Sequence, residues 1–96
     1  MKQQKRSQIE LVLEEECCEI ARKSGIISIK MENCGHVGIP DRLFITPDGE
    51  TFWVEFKTAT GKLSPEQEYF QSLLVNCHVV RYVDSFRKIL KFNGYE

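Results

Sequence analysis

The chain has 96 residues, of which 42% are hydrophobic and 28% charged, with a formal net charge of −1. That size suits one compact domain spanning residues 1–96 with a single core, and the near-neutral balance lacks the basic excess typical of nucleic-acid binders. No apolar run approaches a membrane span, and the start Met1-Lys2-Gln3-Gln4-Lys5-Arg6 leads into no apolar segment, so a soluble, cytoplasmic protein without a secretion signal is expected.

In chain order, Ser7 to Ser24 predicts a helix, with Ile9, Val12, Leu13, Ile20 and Ala21 as its apolar stripe and Gly25 as its stop. Ser7 is its expected N-cap, with Glu10 three residues on. Ile26 to Met31 is rich in strand formers, and Glu32 to Gly38 is a loop. Asp41 to Thr46 and Thr51 to Lys57 form a hairpin whose Phe44, Phe52, Val54 and Phe56 share one face for helices to cover. After a polar connection from Thr58 to Leu63, Ser64-Pro65-Glu66-Gln67 starts a second helix, with Ser as N-cap, Pro at the first helical position and Gln closing a capping box. This helix is expected to run to Asn76 and to bury Phe70, Leu73 and Leu74. His78 to Val83 is a further strand. Asp84 or Ser85 then caps a last helix through Ile89 and Leu90, before the tail Phe92-Asn93-Gly94-Tyr95. The order α-β-β-β-α-β-α predicts an α/β (α+β) domain, a mixed sheet flanked by helices.

Cys17, Cys18, Cys34 and Cys77 show neither C-x-x-C pairs nor a histidine at zinc spacing, which argues for reduced core or boundary residues and against a structural zinc. His36, in the loop before Gly38, invites a metal or acid–base role, but a loop histidine alone is not a site.

The hairpin turn sets the register. Thr46-Pro47-Asp48-Gly49-Glu50 places Pro where a type I turn wants a preset φ and Gly where a left-handed residue closes a three-residue loop with a bulge. Thr46 then faces Glu50, Leu43 faces Trp53, and Asp41 faces Glu55. The two carboxylates therefore fall on one face, with Lys57 two residues beyond Glu55 on that same face. A two-residue loop would shift the register by one and send the carboxylates to opposite faces.

Two like charges so placed repel unless a cation or a proton lies between them. A phosphodiesterase that uses a divalent ion needs this set: two acidic oxygen ligands and an ammonium beside the attacking water. An isolated strand carboxylate is ordinarily a solvated charge, with a nearby lysine as its partner. The Gly38-Ile39-Pro40-Asp41 lead-in, the turn-set register and the Glu55-Phe56-Lys57 spacing together point the other way. Metal would neutralise part of the acidic total, and Lys2, Lys5, Arg6, Lys30, Arg42, Lys57 and Lys62 are available to form a basic side.

These motifs resemble the PD-(D/E)-x-K nuclease superfamily and, within it, the VRR-NUC domain that occurs as short stand-alone bacteriophage proteins and at the ends of larger DNA-repair nucleases. The resemblance is carried by Gly38-Ile39-Pro40-Asp41-Arg42-Leu43, the Pro47-Asp48-Gly49 turn, Val54-Glu55-Phe56-Lys57 and Leu63-Ser64-Pro65-Glu66-Gln67, and it covers the whole chain. Asn33-Cys34-Gly35 departs from a Ser-Pro-Gly-like segment of many relatives. The resemblance implies a restriction-endonuclease-like fold and hydrolysis of DNA phosphodiesters with Mg²⁺ or Mn²⁺. Asp41, Glu55 and the Phe56 carbonyl would be metal ligands, and Lys57 would attend the attacking water. It also implies a first-helix glutamate, acting directly or through water. Glu14, in Leu13-Glu14-Glu15-Glu16-Cys17, fits that pattern, with Glu10 one turn earlier as its rival. Gln67 is implied as a polar site residue, although it is also the residue that closes the capping box, and one side chain does not easily do both. Arg42, Lys62 and Lys30 are candidate nucleic-acid contacts.

By the same resemblance the substrate is branched DNA, a four-way Holliday junction first of all, cut by a homodimer in a bacterial or phage-infected cytoplasm. Phe86 to Tyr95 is the candidate dimer surface. The alternatives are a monomeric flap or branch nuclease, a catalytically idle DNA-binding module, and an interaction protein that borrows the fold.

Overall fold

The computed structural model describes residues 7–32 and 34–96; the basic residues Lys2, Lys5 and Arg6 and the loop residue Asn33 lie outside them. The elements are α1 (Gln8–Lys23), β1 (Ile27–Lys30), β2 (Arg42–Ile45), β3 (Thr51–Phe56), α2 (Pro65–Leu73), β4 (Cys77–Val80) and α3 (Val83–Phe92). This is the expected order. The sheet runs β1-β2-β3-β4, antiparallel through its first three strands, with β4 parallel to β3 after the α2 crossover.

Turn chemistry fixes β2 against β3. The Gly49 amide donates to the Thr46 carbonyl at 2.9 Å, and the Thr46 amide to the Glu50 carbonyl at 2.8 Å. Gly49 is left-handed at φ 83°, a conformation that costs a residue with a Cβ about 1–2 kcal/mol. The register that follows pairs Leu43 with Trp53 and Arg42 with Val54, as the turn predicts. One face of the hairpin, with Phe44, Phe52, Val54 and Phe56, is buried under Leu13, Cys17 and Ala21 of α1 and Phe86 and Leu90 of α3. Phe44 stacks on Phe52 at 5.0 Å between ring centroids and meets Phe86 at 5.2 Å.

Capping delimits α1 at both ends. The Ser7 hydroxyl accepts the Glu10 amide at 3.1 Å. At the other end the Ile26 amide returns to the Ala21 carbonyl and the Gly25 amide to Arg22, a Schellman closure with Ile26 buried beside it. The rotation of the helix departs from the expected stripe. Ile9 is 68% exposed and Val12 42%, while Leu13, Glu14, Cys17 and Ala21 are buried. Small side chains at 17 and 21 let the helix approach the sheet closely and thereby choose its face, and the first turn overhangs a groove of about 350 Å³ shared with Tyr82 and Val83. Burial pushes the Cys17 thiol up to about 12, and all four cysteines are unbridged.

The second half departs in three further places. Helix α2 ends at Leu73 rather than Asn76 and buries none of its residues fully; Leu73 is 58% exposed and Phe70 is half-buried. The chain must turn early, with Leu74 extended and Asn76 at φ 54°, so that the Asn76 carbonyl can accept the Trp53 amide and open β4. Strand β4 stops at Val80, short of Val83, and the N-cap of α3 is Tyr82, without a side-chain cap bond. Neither Asp84 nor Ser85 caps; Asp84 sits in the first turn, where its charge still suits the helix dipole. Finally, the C-terminal segment divides its apolar residues between core and surface. Phe86 and Leu90 are fully buried, the Tyr95 hydroxyl donates to Asp48 and the Ser24 hydroxyl to the Tyr95 carbonyl, which leaves only Phe92 well exposed among its large apolar residues. Among the described residues, no helix is long and apolar enough to cross a membrane.

Candidate active site

Asp41 lies one residue before β2 and Glu55 one residue before the end of β3. The β2–β3 register, continued by one step, sets them opposite each other on the sheet face that points away from α1 and α3. The next step would pair Pro40 with Phe56. Proline has no N–H, so the ladder cannot close there in the usual way. The Phe56 amide, which still needs an acceptor, donates to the Asp41 carboxylate, at 2.8 Å to Oδ2. One lone pair of the carboxylate is spent on the backbone, and the group is oriented beside Glu55.

Glu55 is only 4% exposed although it lies on the outward face, because the start of α2 covers it. Gln67 Nε2 donates to Glu55 Oε2 at 3.1 Å. The same amide closes the capping box, its Oε1 accepting the Ser64 amide at 2.8 Å while the Ser64 hydroxyl accepts the Gln67 amide at 3.1 Å. The two roles expected to exclude each other are thus both filled, one by each end of the amide. The cap points the donor end at the carboxylate, and glutamine is the only capping-box residue that offers both ends. Gln67→Ala is expected to cost about 1 kcal/mol through the cap, and Gln67→Glu to retain the cap while setting a second carboxylate on Glu55. Thermal denaturation of the metal-free proteins should therefore rank Gln67→Glu no higher than Gln67→Ala, with added Mn²⁺ raising the glutamate variant more.

Glu14 is 3% exposed, and its Oε2 accepts Arg42 Nε at 2.6 Å. The structure assigns Arg42 to this nearly buried ion pair. Neither residue type nor spacing announced it, because Glu14 and Arg42 are 28 positions apart. Glu14 and Asp41 line one recess of about 210 Å³ together with Leu11, Lys30, Met31 and Pro40. Glu10, the rival, is half-buried and does not line it. Lys30 meets Glu32 at 3.7 Å, and Lys62 is exposed beyond the Lys57 turn. His36 sets its ring edge toward Phe70, at 6.4 Å between centroids.

Among the described residues, no three His, Cys, Asp or Glu side chains converge closely enough to hold an ion by themselves. The donor set that is present still fits a hard cation. Asp41 and Glu55 occupy facing positions, the Phe56 carbonyl adjoins them in the chain, and an ion such as Mg²⁺ characteristically takes only one or two carboxylates and keeps waters and substrate phosphate for the rest. Zinc or copper would call for histidine or thiolate, and these are not gathered here.

A solved structure described as a VRR_NUC domain matches with a TM-score of 0.75 and 26% sequence identity, covering 94% of this chain and 100% of its own. No family model and no curated protein sequence matches. That likeness in fold and extent points to a nuclease domain of the PD-(D/E)-x-K type, a class that generally works with divalent metals. In fold and extent the chain is similar to a VRR_NUC domain.

Proposed function

We propose that the protein is a structure-selective DNA endonuclease that uses Mg²⁺ or Mn²⁺ and acts, as a homodimer, on four-way junctions or closely similar branched DNA. The observation that carries the reading is the facing pair Asp41 and Glu55, with Glu55 nearly buried under Gln67 and Lys57 next along the same face. A repulsive carboxylate pair held in place by a turn, a proline and a capping residue suits cation binding better than solvation, which speaks against an idle DNA-binding module or a protein that only borrows the fold. Asp41, Glu55 and the Phe56 carbonyl would hold the ion, and Glu14 would face it across the recess through water. When bound, the ion supplies charge neutralisation on the phosphate and lowers the pKa of water. Lys57 orients the attacking water and offsets charge growing on the phosphoryl oxygens. Gln67 fixes the Glu55 carboxylate, Arg42 holds Glu14, and Lys30 and Lys62 contact the DNA backbone.

A four-way junction needs two symmetric incisions and hence two copies about a two-fold axis. With Phe86 and Leu90 in the core and Phe92 left as the well-exposed large apolar residue of the C-terminal segment, the outward sheet face offers the broader apolar surface for a second copy. Its cross-strand rows Ile27–Ile45 and Ile29–Leu43–Trp53 are apolar, with Ile27 and Ile29 exposed. The test is cleavage of labelled four-way junction, flap, fork and linear duplex with and without Mn²⁺, beside the solution mass by light scattering. Junction nicking by a dimer, lost on chelation, is expected. A monomer that cuts flaps and ignores junctions would leave the nuclease and replace the substrate, and no cleavage of any substrate would remove the nuclease.

A further inference from the structure

Resting on the reading of Lys57 as the catalytic ammonium, we propose that Arg81 is a positioning residue that, with Gly61, holds the Thr58–Gly61 turn against the stem of Lys57. Lys57 is the first residue beyond β3 and Arg81 the first beyond β4. These strands are parallel with Phe56 opposite Val80, and the Lys57 amide donates to the Val80 carbonyl at 3.0 Å. The two residues therefore leave the sheet side by side.

Arg81 does not extend into solvent from that position. Its Nη1 donates to the Thr58 carbonyl at 2.7 Å and to the Gly61 carbonyl at 2.6 Å, which uses both protons of that nitrogen on one turn. The turn is itself closed by the Gly61 amide on the Thr58 carbonyl at 3.2 Å. A Cβ at Gly61 would lie 3.5 Å from Lys57 Cδ and 3.0 Å from Thr58 Oγ1, so the clamped turn forms a wall in contact range of the lysine stem. A lysine side chain is long and flexible, and its ammonium is useful only where the water and the phosphorus meet. A displacement of about 1 Å there costs on the order of 100-fold in rate. Arg81 supplies the rigidity that the strand end does not.

The experiment compares Arg81→Met, Arg81→Lys and Gly61→Ala in Mn²⁺-dependent cleavage, with Lys57→Ala as reference. Arg81→Met is expected to lower kcat about 10- to 100-fold, with KM and the salt dependence of DNA binding unchanged. Arg81→Lys should recover part of the loss, because one ammonium can donate to both carbonyls. Gly61→Ala leaves Arg81 intact and presses on the Thr58 hydroxyl within the turn, while its methyl only touches the lysine stem; by shifting the turn it should lower kcat several-fold with KM unchanged, and it stands as the test if Arg81→Met does not fold. A raised KM with a shallower salt slope and unchanged kcat would make Arg81 a phosphate contact and overturn the proposal. Wild-type kcat in Arg81→Met and Gly61→Ala, with Lys57→Ala inactive, would overturn it alone. An active Lys57→Ala would instead overturn the reading of Lys57 on which it rests.

Discussion

Lys57→Ala and Glu55→Gln are each expected to lower DNA cleavage by about a thousandfold, roughly 4 kcal/mol in barrier, with little change in melting temperature. The two halves of that expectation have different causes. Lys57 is half-buried just beyond β3, so shortening it opens no cavity in the core. Glu55 is nearly buried, but glutamine matches its volume, and a rotated amide can still present its oxygen to Gln67 Nε2, the present donor at 3.1 Å. What is lost in each case is charge. Without Lys57 nothing at that position offsets the developing phosphoryl charge, and without the Glu55 charge the ion loses one of its two carboxylates. DNA affinity should largely survive, since phosphate contacts elsewhere carry it. Single-turnover cleavage at saturating Mn²⁺, thermal denaturation and a binding titration check the three parts, and near-wild-type cleavage removes that residue from the mechanism.

The parts of the fold that were legible in the sequence are those set by local chemistry. Pro47, Asp48 and Gly49 define one turn, that turn defines one register, and the register brings Asp41 to Glu55; every step spans only a few residues. The Ser7 and Ser64 caps and the Gly25 stop are local in the same sense. What could not be read depends on contacts between segments far apart in the chain. The face that α1 buries is chosen by how closely Cys17 and Ala21 let it approach, which an apolar stripe through Ile9 and Val12 does not encode. Helix α2 carries Phe70 and Leu73 at core-like spacing, yet it serves to cover Glu55 and leaves Leu73 in solvent.

The site shows the same division. Asp41, Glu55 and Lys57 share a face by register alone, whereas the partner of Glu14 had to be seen. A buried carboxylate without a partner is costly, and Arg42 meets that need from the strand position next to Asp41. The capping residue Gln67 was legible in its local role, and its second bond became visible only with α2 placed over β3. Pro40 carries a signal that the sequence does contain: a proline opposite the residue between Glu55 and Lys57 has no N–H to donate to it, so the regular ladder ends beside Asp41.

Gly38→Ala is the substitution outside the carboxylate–lysine set with the largest expected effect, and it tests whether the loop before Pro40 and the start of α2 form one unit. Gly38 has φ 90°, so any Cβ is strained there by about 1–2 kcal/mol. That Cβ would also fall 2.6 Å from the Glu66 carbonyl carbon and Cβ and 2.7 Å from the Glu66 oxygen. Helix backbone cannot swing aside as a flexible side chain does, so the first turn of α2 must retreat by about 1 Å to regain ordinary contact. Gln67 is the next residue, and its 3.1 Å bond to Glu55 would stretch beyond hydrogen-bonding range. Conformational strain and displaced packing together should cost roughly 2–4 kcal/mol, a fall in melting temperature of roughly 10–20 °C for a domain of this size. Gly35→Ala separates the two causes, because Gly35 is also left-handed, at φ 86°, with nothing within 4 Å of its Cβ position. It should show the conformational cost alone and retain full cleavage. If the two alanine variants melt and cleave alike, the contact between Gly38 and Glu66 does not hold α2 over the site.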